Sequence, residues 1–195
     1  MIEDGLDRTL YIFGEISEES AEKFTEEMLE MVRADPIQEI ELIICTGGGC
    51  LYSMFAIHDL MRSVNPPICT IGLGKIMSAG TLLLAAGDRR LIFPNSSVML
   101  HEPVSESVEG GIAHFRQESA HFEELYSQMK SLYAEYTGKT FEQISADLHK
   151  ESGMYLTARK AVEYGLADEI YELRDKAGKL QQKAKTPGKK PSRRK

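Results

Sequence analysis

The sequence predicts an α/β fold with a largely parallel sheet, and three observations carry that reading. Short apolar runs alternate with longer amphipathic stretches from Arg8 onward. Glycine, proline and asparagine mark the changes between them, as at Gly47-Gly48-Gly49 and Asn65-Pro66-Pro67. One helix, following the run Ile68–Leu73, is built of small and apolar residues, as a helix buried on most sides requires. Repeated strand–helix order implies right-handed crossovers, and in such sheets active sites gather where strands end and helices begin.

Arg8 to Phe13 reads as a first strand, stopped by Gly14. Ser17 is a suitable N-cap, with Glu18 and Glu19 in the first turn, and Phe24, Met28, Met31 and Val32 form a core face up to Asp35-Pro36. Glu39 to Cys45 is a second strand, ended by the triple glycine. A helix with Leu51, Met54, Phe55, His58 and Met61 on overlapping faces follows, and Asn65-Pro66-Pro67 stops it. Strand Ile68–Leu73 then leads into Gly74-Lys75-Ile76-Met77-Ser78-Ala79-Gly80 and the small-residue helix. Strands at Arg90–Phe93 and Val98–His101 flank a turn at Pro94-Asn95. After Gly110-Gly111 one long helix runs from Ile112 to about Tyr136, with Phe115, Phe122, Met129 and Tyr136 recurring every seven residues. That repeat suits packing against a partner subunit or against the chain's own core. A short helix from Phe141 to about Lys150, a Thr157-capped helix closed by Tyr164-Gly165-Leu166, and a strand near Glu169–Tyr171 complete the order.

Composition bounds the function. The chain has 195 residues, enough for one apolar core, and 42% of them are hydrophobic with no run of membrane-spanning length. Met1-Ile2-Glu3-Asp4-Gly5 lacks the basic-then-apolar layout of a signal peptide. Cys45, Cys50 and Cys69 are odd in number and lie in or beside apolar runs, which suits reduced thiols in the cytoplasm. The net charge of −7 divides unevenly: residues 174–195 carry ten Lys or Arg and one acid, and residues 1–173 carry 13 basic and 29 acidic side chains. An acidic body argues against broad nucleic-acid binding, and the basic tail 174–195 is expected to be disordered. The folded domain is therefore placed at 1–173.

Ser78 stands at the junction of strand and helix, where a hydroxyl can attack a carbonyl carbon and the Ala79 and Gly80 N–H groups can face the developing charge. Such a serine needs a base, and five histidines are present. His58 falls on or beside an apolar helix face, and His149 has no special setting. His114 and His121, with Glu118 between them, share one helical face, the layout of a solvated stripe or of a metal site. His101 ends the apolar strand Val98-Met99-Leu100 and precedes Glu102-Pro103, where a catalytic side chain can face a cleft. The triple glycine is either a tight turn or a ligand loop that donates an N–H to an oxyanion. It fits neither the phosphate-loop nor the dinucleotide pattern, and Ser78 is not in a G-x-S-x-G elbow.

With these residues in view, the chain resembles the proteolytic subunit of the Clp protease, a serine peptidase on the crotonase-like fold. The resemblance runs from about Arg8 to Tyr171. Its strongest blocks are Gly74 to Gly87, Phe93 through Pro103, and Leu156-Thr157-Ala158 through Asp168. It implies Ser78 as nucleophile, His101 as its base, and the Gly49 and Ala79 N–H groups as oxyanion hole, with no cofactor or metal. It further implies unfolded-protein or peptide substrates and a homo-oligomer of stacked rings around a chamber. Helix 112–136 corresponds to the protruding handle that packs the rings together, and an AAA-type unfoldase is the implied further partner.

Several positions depart from the family pattern. The third catalytic residue is usually an Asp between the short helix and the Leu-Ser/Thr-Ala block. Counting on from Asp147, that place is held by Glu151, with Ser152-Gly153 as an added pair. Glu151 is thus the expected orienting acid, with Asp147 or no third member as alternatives. Only Met1 to Asp7 correspond to the segment that forms axial loops and engages an unfoldase. Lys75, Ile76 and Met77 replace smaller or neutral residues, and Gly47 replaces a proline. Lys75 invites comparison with a Ser/Lys dyad, but with two residues between them its side chain is expected to point away from Ser78. A catalytically inactive ring subunit is the alternative function. An acyl-CoA hydratase on the same fold would need acidic residues beside the glycine loop, and the sequence has none there.

Overall fold

In a computed structural model, the described residues are 8–104, 110–150 and 153–173. Glu151 and the basic tail, both singled out above, lie outside them. The element order is β1 (Thr9–Ile16), α1 (Glu18–Ala34), β2 (Ile40–Gly49), α2 (Leu51–Ser63), β3 (Ile68–Met77), α3 (Ala79–Ala85) and β4 (Arg89–Ile92). There follow β5 (Ser97–Leu100), α4 (Ile112–Thr137), α5 (Phe141–Leu148), β6 (Met154–Thr157), α6 (Ala158–Tyr164) and β7 (Glu169–Ile170).

Strands β1, β2, β3, β4 and β7 lie side by side in that order, all parallel. This is the α/β arrangement of repeated strand–helix units that the sequence predicts. The sheet then divides along β3. Cys69–Gly72 pair with β4, whereas Lys75–Met77 pair with β5. The divide falls at Gly74, whose φ of +70° favours glycine. Ser96 clamps it, accepting from Gly74 N–H at 3.0 Å and donating to the Gly72 carbonyl at 3.2 Å. Splitting one strand between two neighbours brings the end of β5, and so His101, beside the end of β3, and so Ser78.

Four strands differ from the sequence reading: β3 runs on past Leu73 through Gly74 to Met77. β1 continues through Gly14 to Ile16, and β2 continues through the triple glycine to Gly49. Glycine ends a strand only when nothing pairs with it; here Glu15 and Ile16 pair with Gly48 and Gly49 across a register shift. β6 is a strand that the sequence reading missed. It pairs antiparallel with β5, Val98 opposite Leu156 and Leu100 opposite Met154.

The helices follow their caps. Ser17 and Thr140 each close a capping box, and Thr157 accepts from Lys160 N–H. Arg8, buried at the start of β1, donates to the carbonyls of Met31, Asp35 and Gln38, satisfying the open end of α1. All seven residues of α3 are buried, which explains its lack of charge. Gly80 lets α3 lie on β2, since a Cβ there would meet Thr46 Cγ2 at 2.3 Å.

The seven-residue stripe on α4 divides in two. Leu125, Met129 and Tyr133 pack into the chain's own core, and the Tyr133 hydroxyl bonds Thr81 of α3. The first half stands clear, with Ile112 74% and Phe115 45% exposed. Among the described residues, no helix is long and apolar enough to cross a membrane.

Candidate active site

Ser78 is held by a backbone turn that few residues adopt. Its φ is +50° with ψ −126°, and it is the only non-glycine residue with positive φ among those described. Such a conformation costs on the order of 1–3 kcal/mol and persists where its surroundings fix it. Here Ser78 N–H donates to the Met99 carbonyl at 2.7 Å, and its own carbonyl accepts from Thr81 N–H at 2.9 Å and the Thr81 hydroxyl. The hydroxyl is thereby turned out of the strand at the head of α3, half-buried, beside two helix-start N–H groups.

His101 follows the last residue of β5. Its Nε2 lies 2.7 Å from Ser78 Oγ. Burial pushes the imidazole below its ordinary value, so the neutral, proton-accepting form dominates near neutral pH. Gly153 lies beside the root of the His101 side chain: a Cβ there would come 3.4 Å from His101 Cβ and 3.0 Å from the Leu100 carbonyl oxygen. Among the described residues, no side chain bonds His101 Nδ1. Asp147, the alternative third member, is engaged elsewhere, accepting from Lys150 Nζ at 2.8 Å and the Tyr164 hydroxyl at 2.9 Å.

The glycine loop meets Ser78 through Gly48. A Cβ there would lie 2.6 Å from Ser78 Cβ and 3.1 Å from its Oγ, and φ is +98°. The Gly48 N–H donates to Thr46 Oγ1 at 2.9 Å, while that hydroxyl donates to the Gly14 carbonyl. Thr46, which sequence reasoning did not single out, therefore pins the loop. At Gly49 the ladder bond to β1 runs from Cys50 N–H to the Ile16 carbonyl, 2.7 Å. Gly48→Ala is expected to lower the reactivity of Ser78 about 100-fold, the scale of a displaced reacting group. Labelling rates with a fluorophosphonate, beside a melting curve, check this.

The other candidates are placed elsewhere. His58 is buried, donating from Nδ1 to Asp59 and accepting at Nε2 from the Tyr136 hydroxyl at 2.6 Å, and so joins α2 to the end of α4. His121 bonds Tyr52 at 3.0 Å. His149 bonds Glu102 at 2.9 Å. No group of three His, Cys, Asp or Glu suited to a metal exists among the described residues. Lys75 Nζ would sit 3.8 Å from a Cβ on Gly47, with its side chain exposed. The three cysteines are free thiols, and burial pushes Cys69 up to about 11.

The pattern that defines the family described as Clp protease matches residues 5–174. Among similar proteins is the ATP-dependent Clp protease proteolytic subunit 1 of Corynebacterium glutamicum, 34% identical over 170 residues, covering 86% of this chain and 81% of the relative. The subunit 1 of Rhodococcus jostii is 32% identical, covering 86% and 76%, and the subunit 2 of Corynebacterium jeikeium is 31% identical, covering 86% and 80%. Matching nearly the whole described chain, these similarities establish that this chain, with its parallel sheet and flanking helices, belongs to the Clp protease family.

Proposed function

We propose that the chain is a serine endopeptidase that cleaves unfolded proteins or peptides inside an oligomeric chamber. The observation that carries this reading is the 2.7 Å approach of Ser78 Oγ to His101 Nε2. His101 takes the Ser78 proton as the oxygen bonds the peptide carbonyl carbon. The tetrahedral oxyanion is held by the Ala79 N–H at the head of α3 and the Gly49 N–H of the glycine loop. His101 then gives its proton to the leaving amine as the C–N bond breaks. His101 then takes a proton from water as its oxygen bonds the acyl carbon, and gives that proton to Ser78 Oγ as the acyl–oxygen bond breaks. For Nε2 to accept, Nδ1 must carry a hydrogen, and Glu151 is the acid proposed to orient it. No metal or cofactor takes part in these steps.

Assembly is supported by the exposed first half of α4, where Ile112 and Phe115 are left 74% and 45% exposed among the described residues. The relatives are named as subunits of an ATP-dependent protease, which supports an ATPase partner and a cytoplasmic setting. The pH dependence follows from His101. Its lowered value leaves the base free at neutral pH, so kcat/KM should hold on acidification to below the ordinary histidine range and fall only there. A fluorogenic peptide assayed across pH checks it. A fall centred at or above the ordinary histidine value counts against His101 as base.

A further inference from the structure

We propose that Glu102, Tyr126 and His149 form a clasp that positions His101, fixing the approach of its imidazole to Ser78. The inference rests on the serine-peptidase reading and names positioning residues for that reaction.

The stretch His101-Glu102-Pro103-Val104 leaves the sheet after Leu100. Pro103 restricts Glu102 to an extended backbone, but a fixed backbone angle does not anchor the stretch to anything. Its anchorage comes from side chains. One carboxylate oxygen, Glu102 Oε1, accepts from the Tyr126 hydroxyl of α4 at 3.0 Å and from Nδ1–H of His149, at the end of α5, at 2.9 Å. Among the described residues, the only other side-chain hydrogen bond made by 101–104 is the one between His101 and Ser78. The residue next to the base is thus tied to two helices, α4 and α5.

Charge favours the same arrangement. Lys130 of α4 sits 4.1 Å over the Tyr126 ring and, with His149 and Tyr126, holds the Glu102 carboxyl below its usual range. Glu102 in turn raises His149, and together with burial it raises Tyr126, with Glu123 adding to the latter. His149 is therefore cationic, and its bond charge-assisted, up to a pH above the ordinary histidine value. Above that pH the neutral ring still donates Nδ1–H, without the charge. His149 is exposed and Glu102 partly so, so each bond alone is modest, and the effect on rate is correspondingly moderate.

The test measures peptide hydrolysis and fluorophosphonate labelling across pH for the full chain and for Glu102→Ala, Glu102→Gln, Tyr126→Phe and His149→Gln, with circular dichroism reporting the fold. Glu102→Ala should lower kcat about fivefold with KM unchanged, the scale of one good exposed ion pair. Glu102→Gln, which keeps an acceptor, should recover part of that loss. Wild-type kcat should decline modestly on the alkaline side as His149 loses its charge, and His149→Gln should lack that step. By proton NMR, the His149 titration should fall back toward the ordinary value in Glu102→Gln. Wild-type kcat and labelling rate in Glu102→Ala at every pH, or a loss confined to KM, overturns the clasp alone. A wild-type chain whose Ser78 takes no label overturns the peptidase reading and the clasp together.

Discussion

Replacing Ser78 by alanine removes peptide hydrolysis, by about 10⁶-fold if the serine and histidine act as a unit. The magnitude follows from chemistry that the variant cannot perform. Without Oγ there is no nucleophile within reach of His101, and neither N–H group at the head of α3 nor the glycine loop can form the acyl bond. The fold should survive, because serine and alanine both carry a Cβ into the same turn at φ +50°. The backbone bond from Ser78 N–H to Met99, moreover, does not depend on the side chain. Hydrolysis of a fluorogenic peptide and a melting curve, run together, separate lost chemistry from lost structure.

Glu151→Gln should lower kcat by about 10³–10⁴-fold, the loss that follows when a triad acid no longer fixes its histidine's tautomer. Gly153, two residues on in the chain, sits against His101 Cβ and Leu100, and its N–H donates to the Lys150 carbonyl at 2.8 Å. Asp147 serves as the control. With its carboxylate held by Lys150 and Tyr164, Asp147→Asn should affect stability more than kcat. An unchanged rate in Glu151→Gln rules out the orienting role, and a collapse in Asp147→Asn alone transfers it.

Ser78 and His101 were legible because each stands where a recognisable element changes: the head of an uncharged helix and the end of an apolar run. Their approach was not legible from pattern alone, since it depends on β3 dividing its length between β4 and β5. Glycine misled at β2, where positive φ at Gly48 and Gly49 looks like termination but serves a bulged continuation against Glu15 and Ile16. Met154–Thr157 was missed because four residues show no period and its partner β5 is remote in sequence. The roles of Thr46 and Glu102 were hidden for the same reason. Thr46 acts on Gly14, and Glu102 meets Tyr126 and His149, none of them local. The α4 stripe was read correctly as apolar, but only the tertiary packing divides it into a core half and an exposed half.

The most direct measurement is mass spectrometry of the chain after treatment with a fluorophosphonate. An activated Ser78 takes one phosphonyl group on the peptide that contains it. That adduct should disappear in His101→Ala, and it should form more slowly as pH falls below the lowered His101 value. An unmodified Ser78, under conditions that label an ordinary serine peptidase, contradicts the account.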